Sequence, residues 1–293
     1  MKTFPLKPLL ALLLALAAGP LAAQTKEQLV VALSTPGKAG VLHVKLVNGS
    51  IRVEGYNGKD VVIDVASRAR SRGDDSDDVR GPRPNLGASR PPGRSGAEIN
   101  GGMRRISQGQ SLDVTAQEKD NHVYIRTQSH QHPVDLVVKV PRQFSLQIGT
   151  VNDGDIAVSN LTGELEVSNV NGGIRLSDVA GSAVLSTVNG DIVADFREVT
   201  GGVPMAFSSV NGKIDLTMPA RTKADLKLKS ERGEIYSDFE MSLNNAAPKA
   251  TRTAKDGTYR VSIESWTSGK INGGGAEFML KTLNGDIYIR KAK

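Results

Sequence analysis

The chain has 293 residues, 39% of them hydrophobic and only 4% aromatic, with no cysteine and a formal net charge of +6. Without cysteine it has neither disulfides nor a thiol for lipid attachment, so an exported chain of this size must be held by a hydrophobic core and is not a lipoprotein. The charge does not describe a general nucleic-acid surface: residues 68–110 hold nine arginines against five acidic residues, and the rest is neutral once a leader with Lys2 and Lys7 is set aside.

In chain order, residues 1–23 read as a secretory signal peptide. Lys2 and Lys7 precede an apolar run from Leu9 to Ala18, Gly19-Pro20 breaks it, and Ala22 and Ala23 offer a cleavage point, although Leu21 replaces the usual small residue. The run is about half of the roughly 20 residues that a spanning helix needs, so cleavage is expected rather than an uncleaved anchor. The expectation is an exported chain, periplasmic, cell-surface or secreted, with no transmembrane helix once mature.

Residues 24–293 then read as one β-rich domain. Its first strands lie in "VLHVKLVNGSIRVEGYNGKDVVIDV". The Arg-, Gly-, Pro-, Ser- and Asp-rich segment 68–110 has too few apolar residues to offset its ordering entropy, so a disordered low-complexity loop insertion is expected there. Asp74, Asp75, Asp77 and Asp78 dilute its charge, which favours a tolerated surface insertion over a polybasic arm. Strands resume in "SLDVTAQEKDNHVYIRT". His130 and His132 have the alternate spacing of metal ligands, with His122 nearby, but Pro133 marks a loop and no carboxylate accompanies them, so no metal or cofactor is assigned.

A repeated turn dominates the remainder. With the isoleucine after each turn set as position zero, Ile51, Ile174, Ile192, Ile214 and Ile287 are all preceded by Asn at −3 and Gly at −2, as in Asn189-Gly190. Position −4 is always Val or Leu (Val47, Val170, Val188, Val210, Leu283), and −7 and +2 are apolar. Imperfect copies end at Ile156 and Ile235, so from Ile156 the zero positions step by 18, 18, 22 and 21 residues. A second turn signal sits within each period, in "LTGE", "VAGS" and "VTGGV".

Asn-Gly between alternating apolar residues is a strong hairpin signal. A ladder of hairpins, however, would set the apolar −4 residue on a polar face in every copy. A flattened β-helix of stacked two-strand coils lets −4 turn inward at a corner, with glycine supplying the bend and asparagine stacking between coils. Coils of this length suit a solenoid repeat. The expected fold is therefore all-β, a single β-solenoid carrying the Arg-rich insertion. Lys281, Arg290, Lys291 and Lys293 would make its C-terminal edge a poor template for pairing.

The motifs "VSNVNGGIRL", "LSTVNGDIVA" and "FSSVNGKIDL", with "VDLVVKVPRQFSLQIGTVNDGDI" before them and "GGGAEFMLKTLNGDIYIRK" at the close, resemble the bacterial putative-adhesin domain of unknown function over residues 29–67 and 111–293. The resemblance implies an exported β-helical body of pectin-lyase-like shape with a surface or adhesive role, and it brings no established catalytic residues to carry across.

Little else carries chemistry. "VNDGD", with Asp153 and Asp155, resembles one element of polygalacturonases, but the second Asp pair and the Gly-His-Gly and Arg-Ile-Lys elements are missing. Asp155, Asp191 and Asp286 share position −1, in a row interrupted by Gly173 and Lys213, and read as turn residues facing water. Trp266, the one tryptophan, is the candidate binding residue, with packing beneath a loop as the competing role. The expected function is a non-enzymatic envelope binding or scaffolding protein whose partner is an envelope protein or surface glycan and not a specific nucleic acid. A periplasmic accessory protein of envelope-stress signalling and a polysaccharide-active enzyme are the alternatives.

Overall fold

Ile51, Ile156, Ile174, Ile192, Ile214, Ile287 and Ile235 occupy consecutive rungs of one parallel ladder. The structure, a computed structural model, describes residues 26–67, 114–127, 133–152, 154–244, 249–255, 258–264 and 266–293. Residues 1–23, expected as a signal peptide, residues 68–110, expected as a disordered insertion, and Asp153, His130 and His132 lie outside the described residues.

The described residues form strands and no helix. The first eight strands are β1 (Lys26–Ala32), β2 (Gly40–Lys45), β3 (Ile51–Tyr56), β4 (Asp60–Ser67), β5 (Val114–Lys119), β6 (His122–Thr127), β7 (Val134–Pro141) and β8 (Phe144–Thr150). The repeats supply β9 (Ile156–Ser159), β10 (Thr162–Asn169), β11 (Ile174–Ser186), β12 (Ile192–Val199), β13 (Met205–Asn211), β14 (Ile214–Met218), β15 (Ala224–Arg232) and β16 (Ile235–Ser237). The chain closes with β17 (Met241–Asn244), β18 (Lys249–Lys255), β19 (Thr258–Glu264), β20 (Thr267–Ile271), β21 (Ala276–Asn284) and β22 (Ile287–Lys291).

Each coil contributes one strand to each of two facing ladders, and in five coils the two strands meet at an Asn-Gly corner. One ladder runs β7, β3, β9, the first half of β11, β12, β14, β22, β16. The facing ladder runs β6, β2, β8, β10, the second half of β11, β13, β21, β15. Zero-position isoleucines face the −7 column of Val44, Ile148, Val167, Leu185, Phe207, Leu280 and Leu228, which is also in register. Both columns are buried in one core, apart from the half-buried Ile235 in the outermost coil. Parallel in-register stacking sets like residue on like residue, so one rule, apolar at zero and −7, fills the interior coil after coil. Hairpin pairing of each Asn-Gly turn is excluded by this register.

Spatial order departs from sequence order at both ends. The first coil, β2–β3, lies between β6–β7 and β8–β9, and the last, β21–β22, lies between β13–β14 and β15–β16. The expectation that Lys281, Arg290 and Lys291 guard a terminal edge is thus corrected, because β21 and β22 are paired on both sides. The outer coils are covered by antiparallel strands instead: β4 on β7 and β1 on β4 at one end, β20 on β15 and β17 on β20 at the other, with β5 beside β6. Antiparallel covers shield β7 and β15 from open-ended stacking, while β16 remains the outermost rung of its ladder.

Candidate functional site

The Asn-Gly corner concentrates the polar groups of the repeat. Asn171 donates from Nδ2 to Asn152 Oδ1 at 3.1 Å, Asn189 to Asn171 at 2.8 Å, Asn211 to Asn189 at 2.8 Å and Asn284 to Asn211 at 2.6 Å. Asn171, Asn189 and Asn211 each both donate and accept along the stack, as expected from an asparagine ladder. The asparagines do not adopt the left-handed conformation; Gly49, Gly172, Gly212 and Gly285 do. The glycines have a second reason to be there, because the coils approach closely at this point. A Cβ on Gly190 would lie 2.1 Å from the Gly172 carbonyl oxygen, and one on Gly212 would lie 2.1 Å from that of Gly190.

The residue before the exposed bend corrects the sequence reading. Val47, Val151, Val188, Val210 and Leu283 are 37–42% exposed and do not turn into the interior. The buried residue is the one at −5: Thr187, Ser209 and Thr282, Asn169 before the half-buried Val170, Thr150 as the equivalent before Ile156, and in the first coil the apolar Leu46. Where it is polar, its side chain donates to a glycine carbonyl of the neighbouring coil. Thr150 reaches Gly49 at 3.0 Å, Thr187 reaches Gly172 at 2.9 Å, Ser209 reaches Gly190 at 3.0 Å and Thr282 reaches Gly212 at 2.9 Å. The strand alternation places −5 inside with −7, and the close glycine stack leaves carbonyls that need a donor there. The sequence signal, a small polar residue in most copies at −5, was present beside the more conspicuous valine.

The interrupted aspartate row has a similar explanation. In spatial order the −1 positions read Asp135, Ser50, Asp155, Gly173, Asp191, Lys213, Asp286, Glu234. Every second one is aspartate, and each accepts the backbone N–H of the next coil: Ser50 at 3.1 Å, Gly173 at 2.7 Å, Lys213 at 2.9 Å and Glu234 at 2.9 Å. Asp155 also borders an open groove of about 510 Å³ with Ser50, Arg52, Gly154 and Asn171.

Trp266 is half-buried immediately before β20, with Lys227 Nζ 4.8 Å and Lys229 Nζ 5.6 Å from its ring centroid. The antiparallel pairing of β20 with β15 brings those lysines to it. His122 meets His43 rather than a described histidine of its own hairpin: His43 Nε2 and His122 Nδ1 are 3.2 Å apart, and His43 also stacks on Tyr124 at 4.4 Å. Burial, then the neighbouring His122, holds the His43 pKa below its ordinary value, with Lys45 acting in the same direction. Among the described residues no cluster of three or more His, Cys, Asp or Glu stands ready for a metal.

Two solved structures are similar in outline. One is a putative cell adhesion protein from Clostridium sporogenes ATCC 15579, with TM-score 0.41 and 9% identity, covering 92% of this chain and 100% of its own. The other is a putative adhesin from Bacteroides fragilis NCTC 9343, with TM-score 0.36 and 11% identity, covering 94% of this chain and 100% of its own. No curated protein matches the chain. Residues 145–272, from β8 through β20, match the family model described as Toastrack DUF4097, a domain of unknown function.

Proposed function

We propose that this chain is an exported, non-enzymatic binding or scaffolding module of the bacterial envelope. Its partner would be an envelope protein or a surface glycan. The observation that carries this reading is the use made of the corner carboxylates. Asp155, the described acid of the polygalacturonase-like element, and Asp191 of the same corner row hold the backbone N–H groups of Gly173 and Lys213 at 2.7 and 2.9 Å. Groups committed to joining coils are poor candidates for moving protons to a substrate. The leader-like residues 1–23 support export, and the rigid stack supports display of side chains along a fixed surface.

Fractionation of cells producing the full chain, followed by pull-down of envelope components with the intact protein, tests the proposal. Recovery in the cytoplasm, or in the envelope with no retained component, overturns it. The polysaccharide-active alternative draws on the groove beside Asp155. It predicts polysaccharide cleavage that Asp155→Asn abolishes, and the absence of cleavage by the unaltered protein removes it.

A further inference from the structure

Insertion of the last coil between β14 and β16 brings together two tyrosines that are far apart in sequence. Tyr236 and Tyr288 are register partners on the outer face, with ring centroids 5.1 Å apart and planes within 10°. Tyr288 is half-buried in the stack, whereas Tyr236 is 50% exposed. β16 pairs with β22 alone among the described strands, so Tyr236 belongs to the outermost rung of this ladder.

The neighbouring groups hold the pair in place. The Tyr288 hydroxyl donates to Asp286 Oδ2 at 3.0 Å, and the Arg290 guanidinium carbon lies 5.0 Å from the Tyr288 ring centroid. Arg290 is itself fixed by Asp215, with Nε donating to Oδ1 at 2.7 Å and an N–H of Nη2 to Oδ2 at 3.3 Å. The hydrogen bond to Asp286 raises the Tyr288 pKa, so the phenol remains a donor across neutral pH. Glu234 and Asp238 flank Tyr236 two residues to either side, and both are exposed. Glu234 stands to Tyr236 as Asp286 stands to Tyr288, on the same outer face, whereas Asp238 follows the strand in a bend and its Oδ2 accepts the Lys291 N–H at 3.4 Å.

We propose that Tyr236, braced by Tyr288, is a carbohydrate-binding platform for the apolar C–H face of a neutral or amine-bearing hexopyranose; this rests on the envelope-binding reading above. A braced ring offers flat apolar area with little rotamer freedom left to lose, and its π face is electronegative toward sugar C–H groups. The exposed carboxylate of Glu234 is an acceptor for hydroxyl or ammonium groups around the sugar's rim. The local charge selects among glycans. Glu234, exposed and two residues before Tyr236, disfavours a uronate or sulfated sugar in contact with the ring.

The test is affinity gel electrophoresis of the intact protein through gels holding a β-glucan, a galactomannan, glycol chitosan or dextran sulfate. The expected result is retardation by at least one of the first three and none by dextran sulfate. Tyr236→Ala should weaken that retardation by about tenfold or more, and Tyr236→Phe should retain it, since only the ring is required. Thermal melts of both variants check folding, and Tyr236→Phe keeps the test open if Tyr236→Ala is unstable. The proposal is overturned if no neutral or amine-bearing polymer retards the protein, if dextran sulfate is preferred, or if Tyr236→Ala behaves as the unaltered chain. Parallel binding to isolated bacterial envelopes separates the two readings. Envelope binding untouched by Tyr236→Ala rejects the platform alone, whereas no envelope binding by the unaltered protein rejects the wider function.

Discussion

Thr187 is 4% exposed and donates its hydroxyl to the Gly172 carbonyl at 2.9 Å, while the adjacent Val188 is 38% exposed. The inward position before the turn is thus polar and the outward one apolar. Thr187→Val should cost about 1–3 kcal/mol, because the carbonyl across the coil loses its donor. Val188→Thr should stay within about 0.5 kcal/mol, as expected of a surface change. Urea unfolding of the two variants decides between them, and the reverse ranking would restore an inward Val188.

Glycine is required where coils approach closely, as at the corner, and is dispensable where a loop opens into free space. Gly212 combines φ +155 with a would-be Cβ 2.1 Å from the Gly190 oxygen, whereas a Cβ on Gly201 meets nothing within 4 Å. Gly212→Ala should therefore cost more than about 2 kcal/mol, and Gly201→Ala less than about 0.5 kcal/mol. Thermal unfolding measures both, and similar losses at the two sites would show that stacking distance does not set the requirement.

His43 should make stability depend on pH. Its depressed pKa means that the unfolded chain takes up the proton more readily than the folded one. Its contribution is present above the ordinary histidine value of about 6.5 and is lost as pH falls below it. The melting temperature should fall on acidification, and less steeply in His43→Gln. Equal slopes in the two proteins would contradict the assignment.

Hydrogen exchange should treat the last coil as interior. β21 and β22 are bonded on both sides, and Phe278, Leu280, Ile287 and Ile289 are buried. Their amides should exchange as slowly as those of β12, and more slowly than those of the edge strands β1 and β17. Rapid exchange of β22 relative to β12 would place the last coil at an edge.

Much of this fold was legible in the sequence because parallel stacking repeats its demands. The isoleucine at zero, the apolar −7 and the Asn-Gly pair recur because each copy rests on another copy of itself, and the asparagine ladder follows directly. The inside of the bend was misread for a local reason. A single residue separates −5 from −4, and a shift of one along an extended chain reverses the face. Hydrophobicity alone pointed to Val188, whereas the unpaired needs of the glycine carbonyls made Thr187 the inward residue. The aspartate row looked broken because sequence order sets Asp155, Gly173, Asp191 and Lys213 in a list, while in space they act as donor–acceptor pairs.

By itself the sequence determined the coil: its length, its corner and the zero and −7 residues that face the core. Periodicity encodes these because every coil meets the same environment. Only the tertiary structure decided which coil lies on which. The first and last coils carry the same zero and −7 residues as the others, so nothing in their pattern marks where they dock. Insertion of β2–β3 and β21–β22 into the stack is a long-range choice made by packing. That choice made neighbours of Tyr236 and Tyr288 and of Asp286 and Glu234. The surface on which the proposed binding site stands therefore exists only in the folded chain.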